Sequence, residues 1–230
     1  MNRTTPFALL TNGNALRWAD LPEWPLPEFL RNVGDELGRG ERLSSLFGVP
    51  EDGLPAAPGT AQAGALRLVA VLAFDAGNTL AVGRSRPFSG SFPSLTATHS
   101  QAHLFEREIW EQHGVRPESH PWLKAVRQDH GAGPAMGDFF RVDGREIHEV
   151  AVGPVHAGII EPGHFRFQCA GEEVLHLEIA LGYQHRGIEE ALAGGPHRAT
   201  VYQMETAAGD TTIGHATAYA SALEALAGSE

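Results

Sequence analysis

Apolar and polar positions recur along this chain with two different periods. Phe29, Leu30, Val33 and Leu37 fall three and four residues apart, which predicts an amphipathic helix over residues 28–37. Pro22, Pro25 and Pro27 lead into it, and Gly38 and Gly40 close it. Residues 43–49 then read as a strand, and the Pro/Gly-rich stretch 50–64 as an exposed loop. The run LRLVAVLAF at 66–74 is apolar almost throughout, as a buried strand requires. Gly77-Asn78 supplies a turn, and 79–83 returns as the hairpin mate. Residues 92–98 read as extended. The next segment, 103–113, mixes Leu104, Phe105, Ile109 and Trp110 with Glu106, Arg107, Glu108 and Glu111, which predicts a short helix ending at Gly114.

Beyond a glycine-containing linker at 131–137 the period becomes two. Phe165, Phe167 and Cys169 alternate with His164, Arg166 and Gln168. Ala170-Gly171-Glu172 turns the chain, and Leu175, Leu177, Ile179 and Leu181 form the apolar face of a partner strand, opposite His176 and Glu178. From Ile188 the pattern is helical, with Asp210 or Thr211 as cap of a last helix whose small residues (Ala216, Ala218, Ala220, Ser221, Ala222) allow close helix packing. These elements predict an α+β chain in two unequal parts. Residues 1–142 hold a small mixed or antiparallel sheet with helices, and residues 143–230 a β-hairpin leading into helices.

Composition narrows the function. With 42% hydrophobic and 20% charged residues over 230 positions, the chain is a folded globular protein. Its 28 acidic against 17 basic residues give a net charge of -11, which argues against nucleic acid and anionic lipid as partners. The sequence holds neither a secretory-type leader nor the roughly 18 apolar residues that cross a bilayer, so the expectation is a cytoplasmic protein with no direct membrane insertion. One cysteine, Cys169, leaves no internal disulfide and no cysteine-ligated iron–sulfur cluster within this chain alone.

The chemistry-bearing residues fall in two stretches. The first is PSLTATHSQAHLFEREIWEQHGVRPESHPWL at 93–123. Its Pro93-Ser94-Leu95, His99, Glu106-Arg107-Glu108-Ile109-Trp110, Gly114-Val115 and His120-Pro121-x-Leu123 resemble the signature of the 30-kDa-type subunit of respiratory complex I and its counterpart in membrane-bound hydrogenases. The resemblance implies a subunit without a prosthetic group that packs beside the redox-bearing large subunit. Glu106, Arg107 and Trp110 can form that interface; read as structure, the same residues only hold the domain together.

The second stretch is 153–190. Gly153-Pro154-Val155-His156, Ile160-Glu161-Pro162-Gly163-His164-Phe165-Arg166-Phe167 and Gly182-Tyr183-Gln184-His185-Arg186-Gly187-Ile188-Glu189 resemble the large subunits of formate hydrogenlyase and related membrane-bound nickel–iron hydrogenases, with the 49-kDa-type complex I subunit more distant. The resemblance runs over about 153–226. It places the first metal-binding cysteine pair near Ala208 and Thr211, which offer no thiolate, and the quinone-binding tyrosine of complex I near Gly209. The acid at Glu161 is kept, and in the hydrogenases an acid there is linked to proton movement. Between Ile160 and Pro162 it reads equally as a desolvated proton relay, hydrogen-bonded by His156, His164 or His185, and as a loop carboxylate paired with Arg166. A zinc site of His156, Glu161 and His164 lacks the helical spacing of a zinc-protease motif. His185 and Arg186, where strand passes to helix, read as contacts to an iron–sulfur subunit or as local packing.

The expected protein is thus a nickel-free subunit of a complex I- or formate-hydrogenlyase-like redox complex. It binds no cofactor itself, stands beside an iron–sulfur subunit and membrane-arm subunits at the inner membrane, and supports electron transfer coupled to ion translocation, with quinone as one acceptor. The alternative is a catalytically inactive scaffold or assembly protein. The family's large subunits extend well past this sequence, so a truncated large-subunit fold is expected, with a homo-oligomer forming in isolation.

Overall fold

A computed structural model describes residues 4–51, 65–126, 128–129, 133–134, 140–155, 162–192 and 194–228. The chain forms two compact units, one of Met1–Ala125 with Ala225–Glu230 and the other of Val126–Glu224. Both mix antiparallel sheet with helix, so the α+β expectation holds.

The first unit is a sheet of five strands. They are β1 (Ala8–Thr11), β2 (Glu23–Trp24), β3 (Arg42–Pro50), β4 (Leu66–Phe74) and β5 (Thr79–Ser85). The main order is β1-β5-β4-β3, all antiparallel, while β2 runs parallel beside β5. β4 is central, which explains its apolar run: Leu66, Leu68, Val69, Ala70, Leu72, Ala73 and Phe74 are all buried. Helix α1 (Leu26–Gly38) starts with Pro27 in its first turn and buries Phe29, Leu30, Val33 and Leu37 in the same core. The β4–β5 turn places Asn78 in the left-handed region (φ 48°), a conformation Asn tolerates better than most residues.

Helix α2 (His103–His113) covers the expected residues, and Gly114 ends it with φ 67°. The extended reading of 92–98 needs correction. Only Phe92–Pro93 is strand (β6), paired parallel with β7 (Pro117–Glu118), and the chain then turns at Thr96–Thr98. Strand β1 carries too little alternation over four residues to stand out in the sequence.

In the second unit, β8 (Gln128–Asp129) and β9 (Gly133–Pro134) form a short ladder. A three-stranded antiparallel sheet follows: β10 (Ile147–Val155), β11 (Gly163–Ala170) and β12 (Glu173–Ala180). The expected hairpin is therefore the second and third strand of a sheet whose first strand is not evident from alternation. A bulge between Gln168 and Cys169 sets Val174, rather than Leu175, opposite Cys169. Helices α3 (Ile188–Leu192), α4 (Thr200–Glu205) and α5 (Thr212–Ala227) complete the unit.

Candidate functional site

The signature at 93–123 folds into one cluster around α2, and two neighbouring residues hold it. Glu106 is fully buried. Its Oε2 accepts hydrogen bonds from Ser94 Oγ (2.6 Å), Thr96 Oγ1 (2.6 Å) and Thr96 N (3.3 Å), and its Oε1 accepts from Leu95 N (2.6 Å). Four donors around one carboxylate compensate the loss of its hydration. Arg107 points to the next segment, donating from Nε to Lys124 O (2.5 Å) and from Nη2 to Ala125 O (2.8 Å). The Glu-Arg pair is a two-armed clamp: one arm fixes the turn after β6, the other the end of the signature.

Around the clamp lie groups that no sequence pattern brings together. The rings of His103 and His120 stand 5.5 Å apart, and His103 stacks on Trp122 at 5.9 Å. Arg107 and Lys124 both approach the Trp122 ring, at 5.5 and 5.6 Å. Burial holds the His120 imidazole below its ordinary range, outweighing the carboxylate of Glu106 at 4.0 Å. Burial also lowers His103, with Arg107 and His120 adding repulsion. His113 at the end of α2 is lowered by burial, its ring lying against Gly48. These histidines are neutral packing elements at neutral pH. Trp110 is half-buried, and His99 lies over Gly34 of α1.

In the second unit Glu161 and His156 lie outside the described residues. His164 is half-buried on β11, opposite Ala180. The Arg166 guanidinium pairs with Glu149 on β10. Gln168 donates to the same carboxylate at 2.8 Å and accepts from Val142 N at 3.4 Å. Glu178 accepts from Phe140 N at 3.0 Å, and the Phe140 ring packs on His176 at 4.3 Å. These contacts bury Gln168 and Glu178, while Glu149 on the same face stays exposed.

His185 and Arg186 lie beyond β12, with Arg186 exposed. Arg186 donates to Thr206 O and, at 3.4 Å, to Ala207 O, beside the C-terminal end of α4. It ties the strand-to-helix passage to the segment 206–211. In that segment Ala208 precedes the turn Gly209–Thr211, and Thr211 Oγ1 lies 2.9 Å from His215 Nδ1. A methyl group and a hydroxyl stand where the resemblance to nickel–iron enzymes calls for two thiolates, so these residues do not fit that metal group. Cys169 is buried within β11. Among the described residues, no group of three or more His, Cys, Asp or Glu side chains is placed to hold a metal ion, and no helix is long and apolar enough to cross a membrane.

Comparison with known proteins points to the same two groups of relatives. The model of the respiratory-chain NADH dehydrogenase 30 Kd subunit family matches residues 25–140. Hydrogenase-4 component G of Escherichia coli K12 is 26% identical over 165 residues, covering 62% of this chain and 30% of that protein. Formate hydrogenlyase subunit 5 of the same organism is 27% identical over 157 residues, 58% of this chain and 28% of that protein. The NADH-quinone oxidoreductase C/D subunit of Nitrosospira multiformis is 24% identical over 134 residues, 43% of this chain and 22% of that protein. The chain spans less than a third of each of these relatives.

Proposed function

Since the chain belongs to the respiratory-chain NADH dehydrogenase 30 Kd subunit family through residues 25–140, we propose that it is a nickel-free subunit of a membrane-associated redox complex of the complex I and formate-hydrogenlyase type. It supports electron transfer beside an iron–sulfur subunit and is held at the cytoplasmic side of the membrane by membrane-arm subunits. Quinone is the acceptor to test first, and ion translocation is the coupled work. Trp110, His185 and Arg186 face the partners, while Glu106 and Arg107 act from beneath by fixing the loops around α2. Glu161, with His156 and His164 as hydrogen-bonding neighbours, passes protons. The observation that carries this reading is the pairing in one chain of a 30-kDa-type unit, clamped by Glu106 and Arg107, with a hydrogenase-like stretch whose Ala208 and Thr211 replace thiolates.

The clamp also supports the second reading, a scaffold without catalysis, because its charges are spent inside the fold. One experiment separates the two. The chain is co-produced with its genomic neighbours, and the purified assembly is assayed for metals and for electron transfer to a soluble quinone. The redox reading expects iron and acid-labile sulfide without nickel, and quinone reduction that falls at least tenfold in Glu161→Gln. An assembly with no electron transfer supports the scaffold. Nickel near one atom per chain overturns both.

A further inference from the structure

Residues 120–125, the last of the first unit before Val126, are strapped to α2 by bonds that two imidazoles and one guanidinium share. The His120 side chain is fully buried. Its Nδ1 lies 3.1 Å from Trp122 N, which can only donate, so Nδ1 carries a lone pair. The ring proton then sits on Nε2, facing His103 O at 3.4 Å. His103 Nε2 lies 3.4 Å from Arg107 Nη1, another obligate donor, so this nitrogen carries a lone pair as well. The same guanidinium donates to Lys124 O and Ala125 O. In the closed strap, therefore, both rings are neutral.

We propose that this cluster is a proton-released latch: protonation of His103 and His120 frees residues 120–125 from α2 while the core of the first unit stays folded. A proton on His120 Nδ1 sets N–H against the N–H of Trp122 and breaks the bond that shapes the strap. A proton on His103 Nε2 sets a cation against Arg107 Nη1 and weakens the guanidinium that pins residues 124–125. The two rings stand 5.5 Å apart, so each charge also opposes the other. The further charged groups of the cluster are Glu106 and Arg107 on α2 and Lys124 on the strap, over the Trp122 ring. Of these only Glu106 favours a charged ring, 4.0 Å from His120 Nε2. Its oxygens already accept four hydrogen bonds from Ser94, Leu95 and Thr96, and burial of the ring outweighs it. His103 is half-buried, so it is the ring that solvent protons reach first. None of residues 120–125 belongs to the core cluster, whose last member is Val115, so the strap can leave without opening that core.

Amide hydrogen exchange on the full chain at about pH 7.5 and 5.5, corrected for intrinsic rates, tests the latch. A ring that gains its proton only on opening, with an ordinary value near 6.5 once free, raises the opening equilibrium about tenfold over that interval, and two rings about a hundredfold. The opening equilibrium at the Trp122 amide is expected to rise at least about tenfold, and at the lower pH to exceed that of the β4 amides by at least about tenfold. His103→Gln with His120→Asn puts amide oxygens where the two lone pairs stand, and neither side chain can charge. In that double variant the rise is expected to fall below about threefold. Should the double variant not fold, the nitrogen-15 shifts of the wild-type imidazoles carry the test. They are expected to show His120 protonated on Nε2 and His103 on Nδ1 at neutral pH, each charging only as the Trp122 amide loses protection. Either ring charging while that amide stays protected overturns the proposal. So does a Trp122 opening equilibrium that is the same at both pH values, matches that of β4 at the lower one, or keeps its rise in the double variant.

Discussion

At the scale of single residues, the two charges of the signature are structural in a specific way. Glu106 accepts four hydrogen bonds and offers none, so its replacement by Gln is not conservative. An amide places an NH₂ donor against the backbone N–H of Leu95 or the hydroxyls of Ser94 and Thr96. Glu106→Gln is expected to cost about 2–4 kcal/mol, the range for losing bonds to a buried charge and leaving donors unpaired. Ser94→Ala removes one of several donors and is expected to cost about 1 kcal/mol. Urea unfolding of the three proteins checks the order, and equal stability for Glu106→Gln would mean that no clamp exists. In the sequence, Glu106 and Arg107 are two of several charged residues on a helix with four apolar positions, and burial of that pair is one of the readings it allows. What the sequence does not show is that the donors come from the turn at 94–96, ten to twelve residues away. Two hydroxyls spaced by one residue are the available signal, and local pattern does not say where such hydroxyls point.

At the scale of elements, glycines separate positions that accept a side chain from positions that exclude one. Gly34 lies mid-helix in α1, and an added methyl there would meet the His99 ring at 3.6 Å, an ordinary contact. Gly34→Ala is expected to stabilise the chain by up to about 1 kcal/mol through helix propensity and reduced freedom of the unfolded chain. Gly48 on β3 is the opposite case. A methyl there would lie 2.8 Å from His113 Cδ2 and 2.9 Å from Leu66 Cδ2, both belonging to buried side chains. Gly48→Ala is expected to cost about 1–3 kcal/mol by overpacking. Thermal melts of the pair give opposite signs if β3 and α2 meet as described. The elements themselves are largely legible in the sequence, because β4 has the apolar run of a central strand and α1 and α2 have helical spacing with proline or glycine at their ends. β1 and β2 are not, since strands of two to four residues hold too few positions for a period to show, and β6 is legible only within the longer extended stretch 92–98. β10 escapes detection for a different reason. Its apolar positions, Val150 and Val152, are set among Glu149, Ala151 and Gly153, which blur the alternation.

At the scale of the whole molecule, three histidines link the first unit to pH. His103, His113 and His120 are all held below the ordinary imidazole value near 6.5, chiefly by burial. The unfolded chain therefore binds their protons more readily than the folded one. Their contribution is complete above pH of about 6.5 and is lost as pH falls below it, before most carboxylates titrate. The melting temperature is expected to be flat between about pH 7 and 8.5 and to drop from about pH 6.5 toward 5. Replacing His113 by Gln, which cannot charge, is expected to lower stability at neutral pH while reducing that slope. A slope unchanged in the His113 variant would place the acid sensitivity elsewhere.

The two units also differ in what holds them. The core cluster of buried apolar residues, from Phe7 to Val115, belongs wholly to the first unit. Among the described residues of the second, Cys169 is the one apolar side chain that is buried. α5 buries none of its residues, and Ile213 in its second-unit part is 81% exposed. A unit that leaves Val150, Val152, Leu177, Ile179 and an alanine-rich helix exposed is held by its hydrogen-bond ladders and the Glu149–Arg166–Gln168 network more than by hydrophobic burial. Amide hydrogen exchange reads this difference directly, because protection follows the free energy of opening each region. Amides of β4 and α1 are expected to exchange only through global unfolding. Those of β10–β12 are expected to open at a free energy lower by several kcal/mol at a concentration where the chain is monomeric. Equal protection across both units would mean that the second supports itself without burial.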